Sequence, residues 1–391
     1  MRHYSAPDAD GVPMKLVQVN YAFTPVESPD VLLDTYHTLT GWSEAASCAG
    51  LSVSVVQAFS TNAVRRRGNV DYLFCDDGGS RRLSPTMVHA AVAACEPDVV
   101  HVNGLDAPIR AWRLRQRLPA HVAIVVQDHA SVPPRPFSLK APLRRRAMRA
   151  ADAYLFTAPA QATPWVEGGF ISAAQPVHSV LEASTEMRPV HRATARALSA
   201  VDGAPAILWV GRLDANKDPL TVLDGFEQAL ASLPGATLTM VFGDDALLPV
   251  VTARIAASTA LGGRVRMAGR VPHAQLAAWY SAADVFVLGS RRESCGYALL
   301  EACACGAVPV VTDIPSFRTI TGEAAIGALW RVGDAAALTS ALVGVSRRDL
   351  ERERQRTRAH FDRHLSWTVV GARARAIYET VVEARRRRGG R

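Results

Sequence analysis

Short apolar runs rich in β-branched residues alternate with amphipathic segments along most of this 391-residue chain. In the first half, strands are predicted at KLVQVN, LSVSVVQAF, DYLFC, DVVHVNG, AIVVQD, AYLFTA and VHSVLEA. Helices are predicted between them, at VLLDTYHTLTGWSEAASCA, TMVHAAVAAC, PIRAWRLRQRL and LRRRAMRAA. Strand and helix in steady alternation are typical of right-handed βαβ units, so the pattern predicts an α/β fold with a parallel, doubly wound sheet.

The alternation breaks once, over the polar segment Glu186–Pro205, which we predict to be a linker. It then resumes with the strand patterns AILWVG, TLTMVFGD, RVRMAG, DVFVLG and AVPVVTDI. Helices are predicted to begin near Pro219, Leu248, Pro272, Tyr297 and Ala335. We therefore predict an N-terminal Rossmann-like domain over 1–190, a second over 203–360, and a helix with a basic tail over 361–391. Two such domains would face a cleft, with ligands outside the carboxyl ends of the strands.

The net charge of +8 comes from the end of the chain alone. Residues 1–190 contain 18 basic residues (Lys or Arg) and 17 acidic residues (Asp or Glu), and residues 191–344 contain 12 and 13. Residues 345–391 contain 14 basic and 6 acidic residues. Because no basic platform with interleaved aromatic residues occurs, we expect no nucleic-acid partner. The tail EARRRRGGR is either a solvated end or a peripheral contact with an anionic membrane surface.

The remaining composition favours a reduced, cytoplasmic setting. The N-terminus lacks the apolar core of a secretory signal, and no apolar run reaches the roughly 20 residues of a membrane span. The six cysteines lack metal-ligand or disulfide-framework spacing. The motif DAD (Asp8–Asp10) has the spacing of metal-dependent sugar transferases, but it precedes the first strand, so we expect no metal site there.

The loop after AILWV reads GRLDANKDP and carries two cations. Gly211 permits a tight exit from the strand, and Arg212 and Lys217 follow it. Asp218 is the expected helix N-cap, with Pro219 at the first helical position. Arginine binds two oxygens at once and lysine provides a mobile point charge, so this loop can hold a diphosphate. The alternative is a solvated loop whose charges are incidental.

A second loop reads SRRESCGYALLEACACG and places two glutamates around a glycine-led helix. We expect the helix to start after Gly296, so that the N–H groups of Tyr297 and Ala298 can face an anion. Glu293 lies before the helix and Glu301 in its second turn. Carboxylates accept hydrogen bonds from vicinal hydroxyls, so one glutamate can contact a sugar beside the phosphate and the other a ribose.

Together, ESCGYALLEACACGAVPVV and VGRLDANKDPLTVLDGF resemble the E-x7-E motif and the phosphate loop of retaining glycosyltransferase family four. The resemblance is strong over about residues 200–345. It extends more loosely to FDRHLSWTVVGARARAIYETVV, which is similar to the closing helix that crosses back to the first domain. The family implies the GT-B architecture and retaining transfer of a hexose from a nucleoside diphosphate sugar to a hydroxyl acceptor. The donor is a co-substrate, and no cofactor or metal is implied.

The resemblance also implies roles for single residues. Arg212 and Lys217 would hold the donor diphosphate, Glu293 the donor sugar and Glu301 the ribose. The remaining implied donor contacts are the backbone at Tyr297 and Ala298 for the distal phosphate, and the main chain at Arg270–Val271 for the base. In the first domain, His129 in VVQDHAS matches a family histidine near the reacting carbon, or is a loop residue bonded to backbone. The region Asn20–Trp42 lacks the glycine pair with which the family usually approaches the donor phosphates.

Two alternatives share this architecture. A nucleotide-sugar 2-epimerase would act on the donor without an acceptor. A non-catalytic glycosyltransferase-like subunit would be free to lose Arg212, Lys217, Glu293 and Glu301, all of which are present. The sequence leaves the donor base, the sugar and the acceptor open, with glycolipids, polysaccharides and small natural products all compatible.

Overall fold

The apolar runs form the strands of two separate sheets, each within its own unit of the chain. The computed structural model describes residues 12–23, 26–76, 85–135 and 137–389. Contacts divide the chain into one unit of Met1–Ala183 with Trp367–Arg391 and another of Ser184–Ser366. The Asp8–Asp10 motif lies outside the described residues.

In the described part of the first unit, eight strands form one sheet in the order β3-β4-β2-β1-β5-β6-β7-β8. The strands are β1 (Lys15–Asn20), β2 (Ser52–Phe59), β3 (Ala63–Arg67), β4 (Val70–Asp76), β5 (Val99–Asn103), β6 (Ala123–Gln127), β7 (Ala153–Phe156) and β8 (Val177–Ser179). The helices are α1 (Pro29–Thr35), α2 (His37–Cys48), α3 (Thr86–Ala94), α4 (Pro108–Arg115), α5 (Ala141–Met148) and α6 (Thr163–Glu167). Strand β6 is buried throughout, as expected where both sheet faces are covered.

The edge of this sheet differs from the all-parallel prediction. Strand β3 pairs antiparallel with β4 through a two-residue connection that contains Gly68, whose φ is +55°. The sequence of β3, AVRRR, carries three adjacent arginines, which suit an exposed edge strand because charge opposes pairing with another chain. Alternating apolar residues are absent there, so the strand pattern was not visible in the sequence.

The second unit contains, among its described residues, a fully parallel sheet in the order β11-β10-β9-β12-β13-β14. Its elements are α7 (Arg192–Ser199), β9 (Ala206–Gly211), α8 (Pro219–Ala229), β10 (Thr237–Phe242), α9 (Leu248–Ala256), β11 (Val265–Gly269), α10 (Leu276–Ala282), β12 (Val285–Leu288), α11 (Tyr297–Ala304), β13 (Val308–Thr312), α12 (Pro315–Thr321), β14 (Ala328–Trp330), α13 (Ala335–Ser346) and α14 (Leu350–His364).

Four of the five predicted helix starts coincide with helix starts in the structure, namely Pro219, Leu248, Tyr297 and Ala335. The fifth, near Pro272, is instead followed by a 3-10 turn over His273–Gln275, and α10 begins at Leu276.

The segment Glu186–Pro205, predicted as a linker, contains α7 and packs on α10. Its buried face consists of Ala195 and Ser199, while Leu198 is 70% exposed. Polar and small residues of α7 lie on opposite faces, but the buried face contains no large apolar residue, so the segment was predicted as a linker and its helix was missed.

Helix α15 (Trp367–Gly389) returns to the first unit and includes most of the basic tail. Trp42 Nε1 donates to the Tyr378 hydroxyl at 3.3 Å, and that hydroxyl lies 2.5 Å from His101 Nδ1 in the core. Arg385 pairs with Asp152 at 3.2 Å and Arg386 with Asp98 at 2.8 Å. The tail is therefore ion-paired to its own unit over these two arginines. Across the described helices, none is both long and apolar enough to cross a bilayer.

Candidate functional site

The loops that follow β9 and β12 are tied together at the carboxyl edge of the second sheet. These strands are neighbours, so parallel pairing brings their carboxyl ends side by side. Arg291 N–H donates to the Asn216 carbonyl at 2.8 Å, and Asn216 Nδ2 donates to the Arg292 carbonyl at 3.0 Å. The two loops singled out from the sequence therefore form one surface.

Lys217 and Glu293 meet on this surface. Lys217 Nζ lies 2.5 Å from Glu293 Oε1, and the side chains are 13% and 16% exposed. A Cβ at Gly211 would lie 3.3 Å from the Trp209 ring and 3.5 Å from Lys217 Cγ, so Gly211 is adjacent to the lysine stem. The structure thus brings together Gly211, Lys217 and Glu293, three of the residues predicted to bind a ligand.

Arg212 occupies a different environment in the same loop. Its guanidinium is 61% exposed and pairs with Asp214 at 3.1 Å. A third cation, Arg291, donates to Asp218 at 2.7 Å, and Asp218 also caps α8 through the Thr221 N–H at 3.4 Å. Arg291 was not predicted as a site residue, although its position soon after a buried strand pattern was a usable signal.

The glycine-led helix α11 begins where the sequence predicts. Gly296 has φ +99°, and a Cβ there would lie 2.6 Å from Phe317 Cε1, so both conformation and space require glycine. Tyr297 and Ala298 form the first turn, which carries the positive pole of the helix dipole. Ser316 Oγ donates to the Glu293 carbonyl at 3.1 Å and fixes the loop that leads into the helix.

Glu301 is buried on α11, and both of its oxygens accept hydrogen bonds. His273 Nε2 lies 2.7 Å from Oε1, and the Tyr280 hydroxyl donates to Oε2 at 2.9 Å. The hydrogen bond to Glu301 raises the pKa of His273, whose side chain is 55% exposed. Neither partner of Glu301 was found from the sequence, since His273 and Tyr280 come from the turn and helix before β12.

The predicted base-contacting segment follows β11, at the edge of the second sheet. Arg270 donates to the Gly243 carbonyl at 2.8 Å, which ties the loops after β10 and β11 together. Val271 is half-buried beside it. Within the described part of the chain, no group of three or more His, Cys, Asp or Glu side chains is arranged to hold a metal ion.

The first unit has its own cavity of about 750 Å³ at the carboxyl ends of its central strands. His129 lines it and lies 3.1 Å from Asn103 Oδ1 and 3.3 Å from Glu182 Oε2. Desolvation at the cavity wall lowers the pKa of His129 to about 4, although its side chain is 34% exposed and the Glu182 carboxylate beside it acts in the opposite direction. His129 belongs to the first unit, whereas Lys217 and Glu293 belong to the second.

Five carboxamide side chains line the same cavity and come from four adjacent strands: Gln18, Asn20, Gln57, Asn103 and Gln127. Gln18 is 2% exposed, and its Oε1 has no hydrogen-bond partner among the described residues. This cluster was not predicted from the sequence. Its signal was a Gln or Asn inside each apolar strand pattern, as in KLVQVN and AIVVQD, where a buried amide needs a partner.

Comparison with known families concerns mainly the second unit. Residues 192–360 match the family model described as Glycosyl transferases group 1. The chain is 34% identical to the phosphatidyl-myo-inositol mannosyltransferase of Mycobacterium leprae over 182 residues, covering 45% of this chain and 46% of the relative. It is 30% identical to the D-inositol 3-phosphate glycosyltransferase of Streptosporangium roseum over 150 residues, covering 36% and 34%. The chain thus matches less than half the length of these curated relatives.

Solved structures are similar over nearly the whole chain. A sucrose-phosphate synthase from Thermosynechococcus elongatus has a TM-score of 0.69 at 19% identity and covers 95% of this chain and 100% of its own. An Anabaena protein solved with UDP and glucose has a TM-score of 0.66 at 16% identity, with coverage of 95% and 100%. At such identities the likeness shows the fold alone, and it confirms the predicted GT-B architecture of two α/β domains with parallel sheets.

Proposed function

We propose that this chain is a retaining glycosyltransferase that moves a hexose from a nucleoside diphosphate sugar to a hydroxyl acceptor. The observation that carries the proposal is the Lys217–Glu293 pair at the carboxyl edge of a sheet within residues that match Glycosyl transferases group 1. Supporting it are the curated relatives, whose names specify mannosyl and glycosyl transfer, over the part of the chain they share.

The donor would lie on the second unit with its diphosphate beside Lys217, Arg212 and the first turn of α11. Lys217 would exchange its bond to Glu293 for a phosphate oxygen, and the Glu293 carboxylate would accept hydroxyls of the hexose. Arg212 is exposed and pairs with the neighbouring Asp214, so it can turn to the same phosphates. Val271 and its main-chain neighbours would contact the base, and Glu301 the ribose.

In the reaction, the bond between the anomeric carbon and the diphosphate oxygen breaks, and its electron pair leaves with the nucleoside diphosphate. An acceptor hydroxyl bonds to that carbon from the same face and passes its proton to the departing phosphate oxygen. Once the donor is bound and Lys217 and Arg212 have turned to its phosphates, these positive groups stabilise the charge that grows on the leaving diphosphate. Because Lys217, Arg212 and the helix end supply this charge, the proposal includes no metal ion and no cofactor.

The acceptor would occupy the cavity of the first unit. Carboxamides both donate to and accept from hydroxyl groups, and the unpartnered Gln18 Oε1 is a ready acceptor for one. His129 would lie beside the reacting hydroxyl.

The test is release of nucleoside diphosphate and glycosylated product from a panel of UDP-, GDP- and ADP-sugars with polyol and lipid acceptors. With the nucleotide sugar that reacts, Lys217→Ala and Arg212→Ala should each lower kcat/KM by about 10²- to 10³-fold. This is the usual effect of removing one hydrogen-bonding group that stabilises a transition-state charge. Arg264→Ala is the matched control, because Arg264 is exposed before β11, at the opposite edge of the sheet. Normal turnover in both Lys217→Ala and Arg212→Ala would show that the diphosphate does not bind at these two residues. Conversion of the donor sugar without any acceptor would instead identify an epimerase.

A further inference from the structure

Four apolar side chains between β6 and the middle of α5 project into solvent. Phe137 is 99% exposed, Leu139 102%, Val132 63% and Leu143 45%. We call these four residues the apolar patch. Two fully exposed large side chains so close in sequence are unusual on a folded protein, because each forgoes the free energy of burial and exposed apolar clusters mark interaction sites.

The same stretch is strongly basic. Six Lys or Arg residues and no Asp or Glu occur over 129–151. The exposed members are Arg135, Lys140, Arg146 and Arg149, and Arg145 is held by the Gly168 carbonyl at 3.1 Å. Local positive charge therefore surrounds the apolar patch, although charges over 1–190 almost cancel.

Ordered turns hold the patch outward. Ser138 N–H donates to the Arg135 carbonyl at 3.1 Å, and Ala141 N–H to the Ser138 carbonyl at 2.8 Å. Ala147 and Met148 bury the inner face of α5 in the first unit. The exposed side chains are thus attached to a supported helix, which is the geometry for insertion into a soft apolar layer.

We propose that the apolar patch and the basic residues around it bind the surface of an anionic lipid bilayer. Apolar side chains that penetrate the acyl boundary and basic groups at the headgroup level are the combination that interfacial membrane binding requires. This surface differs from the C-terminal tail, for which the sequence left a solvated end or a membrane contact open and in which Arg385 and Arg386 pair with Asp152 and Asp98. The inference does not depend on the transferase assignment. Arg144 of α5 also lines the cavity of the first unit, so the proposed membrane-binding surface of the protein adjoins that cavity.

The experiment is co-sedimentation of the full chain with vesicles of phosphatidylcholine alone and of phosphatidylcholine mixed with phosphatidylglycerol. The natural chain should bind the anionic vesicles, and added salt should weaken binding because screening shortens the reach of surface charge. Phe137→Ser with Leu139→Ser should lower the partition constant by about tenfold or more, since each side chain loses its burial. Lys140→Gln with Arg146→Gln should lower it by about fivefold for each charge removed.

Matched controls change the same chemistry elsewhere. Val64→Ser with Leu198→Ser removes exposed apolar side chains of 66% and 70% exposure, and Arg387→Gln with Arg388→Gln removes two tail charges. Both controls should bind like the natural chain. Equal loss in the controls, binding only through the tail charges, or no binding to anionic vesicles would overturn the proposal. It would also be overturned if the patch variant dissociated a dimer in sedimentation velocity and left vesicle binding unchanged, since the patch would then join two copies of the chain.

Discussion

Glu293 and Glu301 are eight positions apart and occupy opposite environments. Glu293 accepts from Lys217 through one oxygen and lies in the loop before α11. Glu301 is buried, with a histidine and a tyrosine on its two oxygens. Under the proposed function the first carboxylate exchanges its lysine for hydroxyls of the sugar, whereas the second is fixed within a network. We therefore expect the two glutamates to fail differently when changed.

Glu293→Gln should mainly lower kcat, because under the proposed function it orients the sugar whose anomeric carbon reacts. Glu301→Gln should mainly raise KM for the donor, because ribose contacts change little between ground and transition states. Both constants should be measured with one donor. Identical kinetic profiles, or the reverse assignment, would contradict the placement of α11 over the donor.

The bond between His273 and Glu301 predicts a pH-dependent stability. Glu301 raises the pKa of His273, so the folded chain binds that proton more tightly than the unfolded chain. The stabilisation is complete below the ordinary histidine pKa of about 6.5 and is lost as the pH rises through the raised value. The loss of unfolding free energy in Glu301→Gln should therefore be larger near pH 6 than near pH 8.5 in denaturant titrations. In a His273→Gln background this pH dependence should vanish, and its persistence there would contradict the pairing.

At the scale of elements, helix packing in the first unit depends on close approach between α15 and α2. A Cβ at Gly371 would lie 2.2 Å from the Ala45 carbonyl oxygen, and one at Gly41 would lie 2.4 Å from the Trp367 ring. Glycine therefore permits contact of the two helices at two positions. Gly344 of α13 offers the contrast, since a Cβ there meets nothing within 4 Å.

Gly371→Ala should destabilise the chain by about 1–3 kcal/mol, because overpacking outweighs the better helix propensity of alanine. Gly344→Ala should stabilise it by up to about 1 kcal/mol, since propensity acts alone there. Calorimetric melting of both variants against the natural chain measures the difference. Equal shifts of Tm in the same direction would show that α15 does not pack on α2 at this distance.

Elements with clear capping residues or a clear apolar pattern in the sequence were predicted correctly, and elements without them were missed. Helices α8 and α11 were placed correctly because Asp218, Pro219 and Gly296 mark their starts by capping and by backbone conformation. Helix α7 and strand β3 were missed because small residues or arginines replace the apolar pattern. The loops of Lys217 and Glu293 were predicted because each places charged residues after a predicted strand and each resembles a family motif. The carboxamide cavity was not, because its members are scattered over four strands and meet only in the folded sheet.

At the scale of the whole molecule, the chain consists of two units with different chemistry at their sheet edges. The second presents Lys217, Arg212 and a helix end, which suit a diphosphate. The first has a carboxamide-lined cavity that includes a histidine, which suits hydroxyl groups. These different chemistries are those expected for a reaction between an anionic donor and a hydroxylated acceptor.

Because side-chain cations and the helix end would neutralise the diphosphate, activity should survive exhaustive treatment with a chelator. Initial rates with and without EDTA, using the same donor, give the comparison. Manganese or magnesium added back should leave the rate unchanged. Complete loss with EDTA that manganese restores would point to a site in which a metal ion carries the charge.

The proposed function depends on binding of a nucleotide-sugar diphosphate at Lys217 of the second unit. Calorimetric titration of the full chain with UDP, GDP and ADP tests it without knowledge of the acceptor. We expect one nucleoside diphosphate to bind the natural chain. Lys217→Ala should bind it at least about tenfold more weakly, because a hydrogen bond to a charged group contributes about 1.5–3 kcal/mol. Equal affinity of the variant, or no binding of any nucleoside diphosphate by the natural chain, would contradict the account.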